Sequence, residues 1–108
     1  MINEPIKLLS DATAVGEGTK RKNFYPHLTF QAVGTTDSGD GGSATVNVEV
    51  SNDGENWIEK ASLSLTLTAG QMATAGAALN EAWSYVRGNV TEISGTGSVV
   101  NLWMGYQP

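Results

Sequence analysis

An all-β protein, a single antiparallel β-sandwich, is the fold this sequence predicts, and three observations carry the expectation. Val46, Val48 and Val50 alternate with polar residues, as do Leu63, Leu65 and Leu67, so both runs have one apolar and one wet face. Turn signals separate the runs, among them Asn52-Asp53-Gly54 and Ser94-Gly95-Thr96-Gly97. No long helical pattern competes, and regular strand spacing with Gly-rich turns belongs to sandwiches and barrels.

The elements follow in order. Pro5 to Ser10 is expected as a short first strand, with Pro5 suited to a strand start or a sheet edge because it lacks an N–H. Asp11 to Asn23 carries Gly16, Gly18 and the triplet Lys20-Arg21-Lys22, and reads as an arm or long loop that packs on its own domain or on a neighbour. Residues 1–26 therefore form an N-terminal strand and arm, and 27–108 the sandwich domain. Leu28, Phe30 and Ala32 alternate with Thr29 and Gln31, giving a strand from His27 to Gly34. Thr35 to Ser43 holds three glycines in nine residues and is the clearest loop.

The valine strand runs from Ala44 to Ser51, and Asn52-Asp53-Gly54 supplies the positive φ of a tight reversal. Trp57-Ile58 opens the next strand, which continues through the three alternating leucines. Ala69 to Leu79 is read as loop with at most one helical turn, since Gly70 and Gly76 each oppose a helix by about 1 kcal/mol against Ala. Ala82 to Ile93 is a longer strand with Trp83, Tyr85 and Arg87 on one side, and Ser98 to Tyr106 pairs back along it.

Size and charge narrow the function. A chain of 108 residues fits one domain. Charged residues are 16% of it, against about 25% in ordinary globular proteins, so the surface is uncharged and small-featured. Such faces pack against other proteins, and the same composition suits a loop-rich monomer. The net charge of −5 disfavours nucleic acid, whose affinity comes from Lys and Arg on phosphates. Without cysteine there is no disulfide or thiolate chemistry. No apolar run approaches ~18 residues and no secretory signal is recognisable, so a soluble product made in the cytoplasm, with no membrane partner, is expected.

Catalytic patterns fail in turn. His27 is the only histidine, follows Pro26 and has no nucleophile motif nearby, which makes it a surface or rim residue. One His and no Cys cannot build a zinc site. Asp37-Ser38-Gly39-Asp40-Gly41 is a fragment of a calcium-loop pattern without the terminal Glu, and reads as a solvated turn. Gly39 to Gly42 lacks the Gly-Lys-Ser/Thr of a phosphate loop, and Asn89-Val90-Thr91 matches a glycosylation acceptor only formally. No catalytic residue, metal or cofactor is expected. Trp57, Trp83 and Trp103 are expected within alternating strands as core or subunit-contact side chains, with stacking on sugars as the alternative.

Two segments carry a resemblance. Ser51-Asn52-Asp53-Gly54-Glu55-Asn56-Trp57 and the run from Ala82-Trp83-Ser84-Tyr85-Val86-Arg87 to Gly95-Thr96-Gly97 resemble small β-sandwich structural proteins of tailed bacteriophages. In those, an SNDG-x-NW turn precedes a W-x-YVR-x-NVT-x-I-x-GTG hairpin and a final apolar strand. In size and layout the chain is most similar to capsid decoration (cement or staple) proteins with a jelly-roll-like fold, over about Leu28 to Met104. Similar segments occur in phage tail and fibre modules and in discoidin-like domains. The resemblance implies a non-enzymatic virion protein on the capsid exterior, bound to the major capsid protein as a dimer or trimer over joints between capsomers. Lys20, Arg21 and Lys22 of the arm, with Trp103 and Tyr106, are the candidate capsid or subunit contacts. The alternatives are a tail, neck or fibre module and a carbohydrate-binding module for host attachment.

Overall fold

The computed structural model describes residues 4–107. Nine strands fill them: β1 Ile6–Ala12, β2 Gly16–Glu17, β3 Arg21–Lys22, β4 His27–Thr35, β5 Gly42–Ser51, β6 Ile58–Leu67, β7 Ala73–Leu79, β8 Tyr85–Ser94 and β9 Val99–Gln107. One sheet has the order β1-β9-β4-β7 and the other β2-β8-β5-β6, with β3 also on β8. Counting β2 and β3 as one interrupted strand leaves eight, paired first with last, second with seventh, third with sixth and fourth with fifth. That nested pairing is a long hairpin rolled upon itself, the jelly-roll arrangement.

The alternating runs fold as their pattern demands. Val46, Val48 and Val50 of β5, Leu63, Leu65 and Leu67 of β6, and Val86 and Val90 of β8 line the inside of one sheet. Leu28, Phe30 and Ala32 of β4 with Val100, Leu102 and Met104 of β9 line the other. Gly88, in the middle of β8, has no side chain because there is no room for one. A Cβ there would stand 2.7 Å from Leu102 Cδ2 and 2.9 Å from Leu9. The two layers make a slab of 42 × 32 × 17 Å.

Residues 6–22, expected as one strand and an arm, supply β1, β2 and β3 of this same sandwich, with β1 on β9 and β2 and β3 on β8. Leu8 and Leu9 are adjacent yet both buried, which a regular strand forbids. The β1 register slips between Lys7 and Leu9 and again before Ala12, so both leucines turn inward.

Ala73–Leu79 corrects the sequence reading, since this segment is strand β7 and not loop or helical turn. Its residues alternate half-buried and exposed and pair antiparallel with β4 from Leu28↔Leu79 to Gly34↔Ala73. Alanine has little strand preference of its own, so the open edge of β4 decides the conformation. The tryptophans are corrected too. Only Trp103 lies within a strand, while Trp57 and Trp83 sit in the segments just before β6 and β8.

Candidate interaction surfaces

Charge divides between the two sheets. Strands β4, β7 and β9 are neighbours in one sheet, and none carries a Lys, Arg, Asp or Glu. Their outer face is a small-featured plane crossed by matched rows. Gly76, Gln31 and Trp103 lie opposite one another, followed by Lys7 on β1. The next row has Thr74, Val33 and Asn101, and the one before it Ala78, Thr29 and Gly105. Trp103 is half-buried at the centre, with the Lys7 ammonium 5.0 Å above its ring centroid.

The opposite sheet carries Glu17, Arg21, Lys22, Glu49, Glu59, Lys60, Arg87 and Glu92. Arg87 organises its outer face. Its Nε donates to Glu49 Oε1 at 2.7 Å, its Nη2 lies 3.5 Å from Glu17 Oε1, and its guanidinium stacks 4.1 Å from the Trp57 ring centroid. Asn89 Nδ2 adds a bond to Glu49 Oε2 at 3.2 Å. One cation thus ties β2, β5, β8 and the β5–β6 turn together.

That turn is rigid by construction. Asp53 Oδ1 accepts from Ser51 Oγ (2.8 Å), Glu55 N (2.9 Å) and Asn56 N (2.8 Å), and Oδ2 accepts from Asn56 Nδ2 at 2.7 Å. Gly54 takes φ +76°, where a side chain would be strained, and its carbonyl accepts from Lys20 Nζ at 3.2 Å. Asn52 Oδ1 accepts from Ser84 N (3.2 Å) and Oγ (3.3 Å). The two segments that carry the resemblance therefore touch at Asn52–Ser84 and Trp57–Arg87.

Donors from Asn56, then Glu55 and Ser51, hold the Asp53 carboxyl well below the usual carboxylate range. The depressed value belongs to the folded state, so the ionised form favours folding. Its contribution is complete above the unfolded value of about 4 and declines as pH falls below that. Urea titrations at pH 7, 4 and 2.5 should show the midpoint falling mainly over the last interval. Asp53→Asn should have a lower midpoint at pH 7 and a flatter decline, and an unchanged decline would exclude Asp53 as its source.

Beside the turn lies an open hollow of about 290 Å³ between Trp57 and Trp83, with Asn52, Asp53, Asn56 and Ile58 in its walls. The Trp83 Nε1–H donates to Glu81 Oε1 at 2.9 Å, and Lys60 Nζ pairs with the same oxygen at 3.0 Å. These two donors hold the Glu81 carboxyl below its usual range. Lys60 also stands 5.4 Å over the Trp83 ring.

The five candidate contacts do not converge. Lys20 is engaged with Gly54 and stands 5.5 Å over the Tyr85 ring. Arg21 and Lys22 are exposed on β3, beside β8. Trp103 is on the uncharged face. Tyr106 is on the inner side of β9, its ring 4.5 Å from that of Tyr25 and packed against the core. His27 is exposed at the start of β4, with Nδ1 3.3 Å from Asn80 Oδ1.

The sequence reading missed the Arg87–Glu49 pair and Asn23. Asn23 is buried and spans Tyr25 and Trp83 through its amide. No signal of spacing announces the Arg87–Glu49 pair or the Asn23–Trp83 bond, whose partners lie 38 and 60 residues apart. Among the described residues, no group of three or more His, Cys, Asp or Glu side chains is placed to hold a metal ion.

No family model and no curated protein matches the chain. Among solved structures it is similar to the one titled "Crystal structure of PBSX exported protein XepA", with TM-score 0.61 and 14% sequence identity. The match covers 97% of this chain and 38% of that one, so the chain spans well under half the length of that protein. The likeness is one of fold, a two-layer antiparallel β-sandwich.

Proposed function

We propose that this protein is a non-enzymatic virion structural protein of a bacteriophage, a capsid decoration protein that docks through the outer face of β1-β9-β4-β7. The observation that carries the reading is the run of three adjacent strands without a charged side chain. Burying the part on β9, β4 and β7 covers no charged residue of those strands, with Lys7 of β1 at its margin over Trp103, and depletion of charge is what marks the core of protein interfaces. The structural neighbour, an exported protein of phage PBSX, accords with a phage-related role and with a virion or extracellular location.

In this reading the major capsid protein is the partner, and copies of this chain associate as a dimer or trimer across capsomer joints. Each copy then adds contacts whose linkage raises avidity. Edge strand β7, uncharged and built of small residues, is the edge open to pairing with a second copy.

The test mixes purified protein with undecorated capsids and images them by electron cryo-microscopy. Density over capsomer joints is the expected result. Density at the tail would transfer the protein to a tail or neck role, and no density would remove the virion reading. Gln31→Glu and Trp103→Ala should each weaken capsid binding at least about tenfold, or about 1.4 kcal/mol, by burying an unpaired charge or by deleting the central ring. Glu92→Gln, on the other sheet, should bind as the wild type does.

A further inference from the structure

We infer that the hollow between Trp57 and Trp83 is a binding site for a neutral saccharide. This site lies at the β5–β6 turn and does not depend on the capsid reading. Two half-buried indoles border the hollow, and both are held in place before any ligand arrives. Arg87 covers one face of Trp57, so a ligand stacks on the other; Glu81 and Lys60 fix the ring of Trp83. Indole faces suit the C–H faces of pyranose rings, and preset rings lower the entropy lost on binding.

The polar wall supplies the complementary groups. Asn52 spends its Oδ1 on Ser84, and its Nδ2 has no partner among the described residues, so a donor is on offer. Asn56 spends its Nδ2 on Asp53, and its Oδ1 is likewise unpartnered, so an acceptor is on offer. A sugar hydroxyl both donates and accepts, and neighbouring hydroxyls can use both amides. Charge selects against acidic ligands. Asp53 is in the wall and Glu81 beside it, while the cations Lys60 and Arg87 are already paired with carboxylates. A phosphate or sulfate would find no free positive charge there.

The experiment is a ¹⁵N NMR titration of the full chain with neutral oligosaccharides of glucose, galactose and N-acetylglucosamine, alongside sulfated and phosphorylated sugars and a proline-rich peptide. A millimolar affinity for at least one neutral saccharide is expected, with shifts confined to residues 52–58 and the Trp83 indole. Trp57→Ala should abolish the shifts. Because that ring also packs on Arg87, Asn52→Asp is the sharper variant: it keeps the acceptor for Ser84 and removes the free donor. It should remain folded and bind at least tenfold more weakly. Shifts with none of the neutral sugars, with the anionic sugars or the peptide alone, or an unchanged affinity in Asn52→Asp, would overturn the assignment.

Discussion

Leu102→Ala should lower the unfolding free energy by about 2–5 kcal/mol, measured by guanidinium unfolding followed through tryptophan fluorescence. Leu102 is fully buried on β9, with Ala32 of β4 beside it and Gly88 of β8 across the layer. Neither of these two has a side chain long enough to fill the space left behind, so only Leu9, opposite Leu102 on β1, can lean into it. A domain stable by about 5–15 kcal/mol loses a large share of its margin in one step. The companion Gly88→Ala should cost about 1–3 kcal/mol alone, by forcing a methyl into Leu102 and Leu9. In the Leu102→Ala background it should cost less, because the nearer obstacle is gone. Strict additivity of the two would show that the layers do not meet at this point.

Arg87→Ala is the second large effect, and it acts from the outer surface of the other sheet. Its head is bonded to Glu49 at 2.7 Å, and both side chains are mostly covered, at 17% and 14% exposed. Truncation strands the Glu49 carboxylate with Asn89 as its remaining partner. A lost hydrogen bond between charged groups costs about 1.5–3 kcal/mol, and the lost stacking on Trp57 adds about 0.5–1 kcal/mol. Arg87→Lys should recover only part of this, since an ammonium cannot reach Glu49 and Glu17 while lying flat on an indole. Full rescue by lysine would show that charge alone matters and that the planar stack is incidental. The Glu17 contact, at 3.5 Å and with Glu17 exposed, should matter little, and Glu17→Gln should be nearly silent.

These two sites show what kinds of information the chain displays openly. The valines of β5 and the leucines of β6 were expected to line one apolar face because they alternate with polar neighbours. Leu102 lay in a run expected to pair back along β8 and instead stands in the other sheet, between β1 and β4. Arg87 was expected only to share a side with Trp83 and Tyr85. That it clamps Glu49 depends on β5 and β8 being neighbours, a pairing across 38 residues that no local pattern encodes. The turn at Asn52-Asp53-Gly54 was legible because its bonds are made within a few residues. Strand β7 was not, because Ala-Thr-Ala-Gly-Ala-Ala-Leu has no strong preference and takes its conformation from β4.

By itself, then, the sequence determined the fold class, the inward-facing side chains of β4, β5 and β6, the tight turn and the scarcity of charge. All of these depend on residues close together in the chain, where the alternation of a strand and the φ angles of a turn act directly. Tertiary structure alone decided where the uncharged residues gather. Strands β4, β7 and β9 are far apart in sequence, and only the rolled hairpin sets them side by side as one plane that carries Trp103 on β9. It also brought Trp57 to Trp83 across a hollow and drew Lys20 onto Gly54 and Tyr85, while leaving Arg21 and Lys22 on an exposed edge. The physical reason is that strand pairing selects partners by burying complementary faces, and that choice is settled by the whole set of strands together.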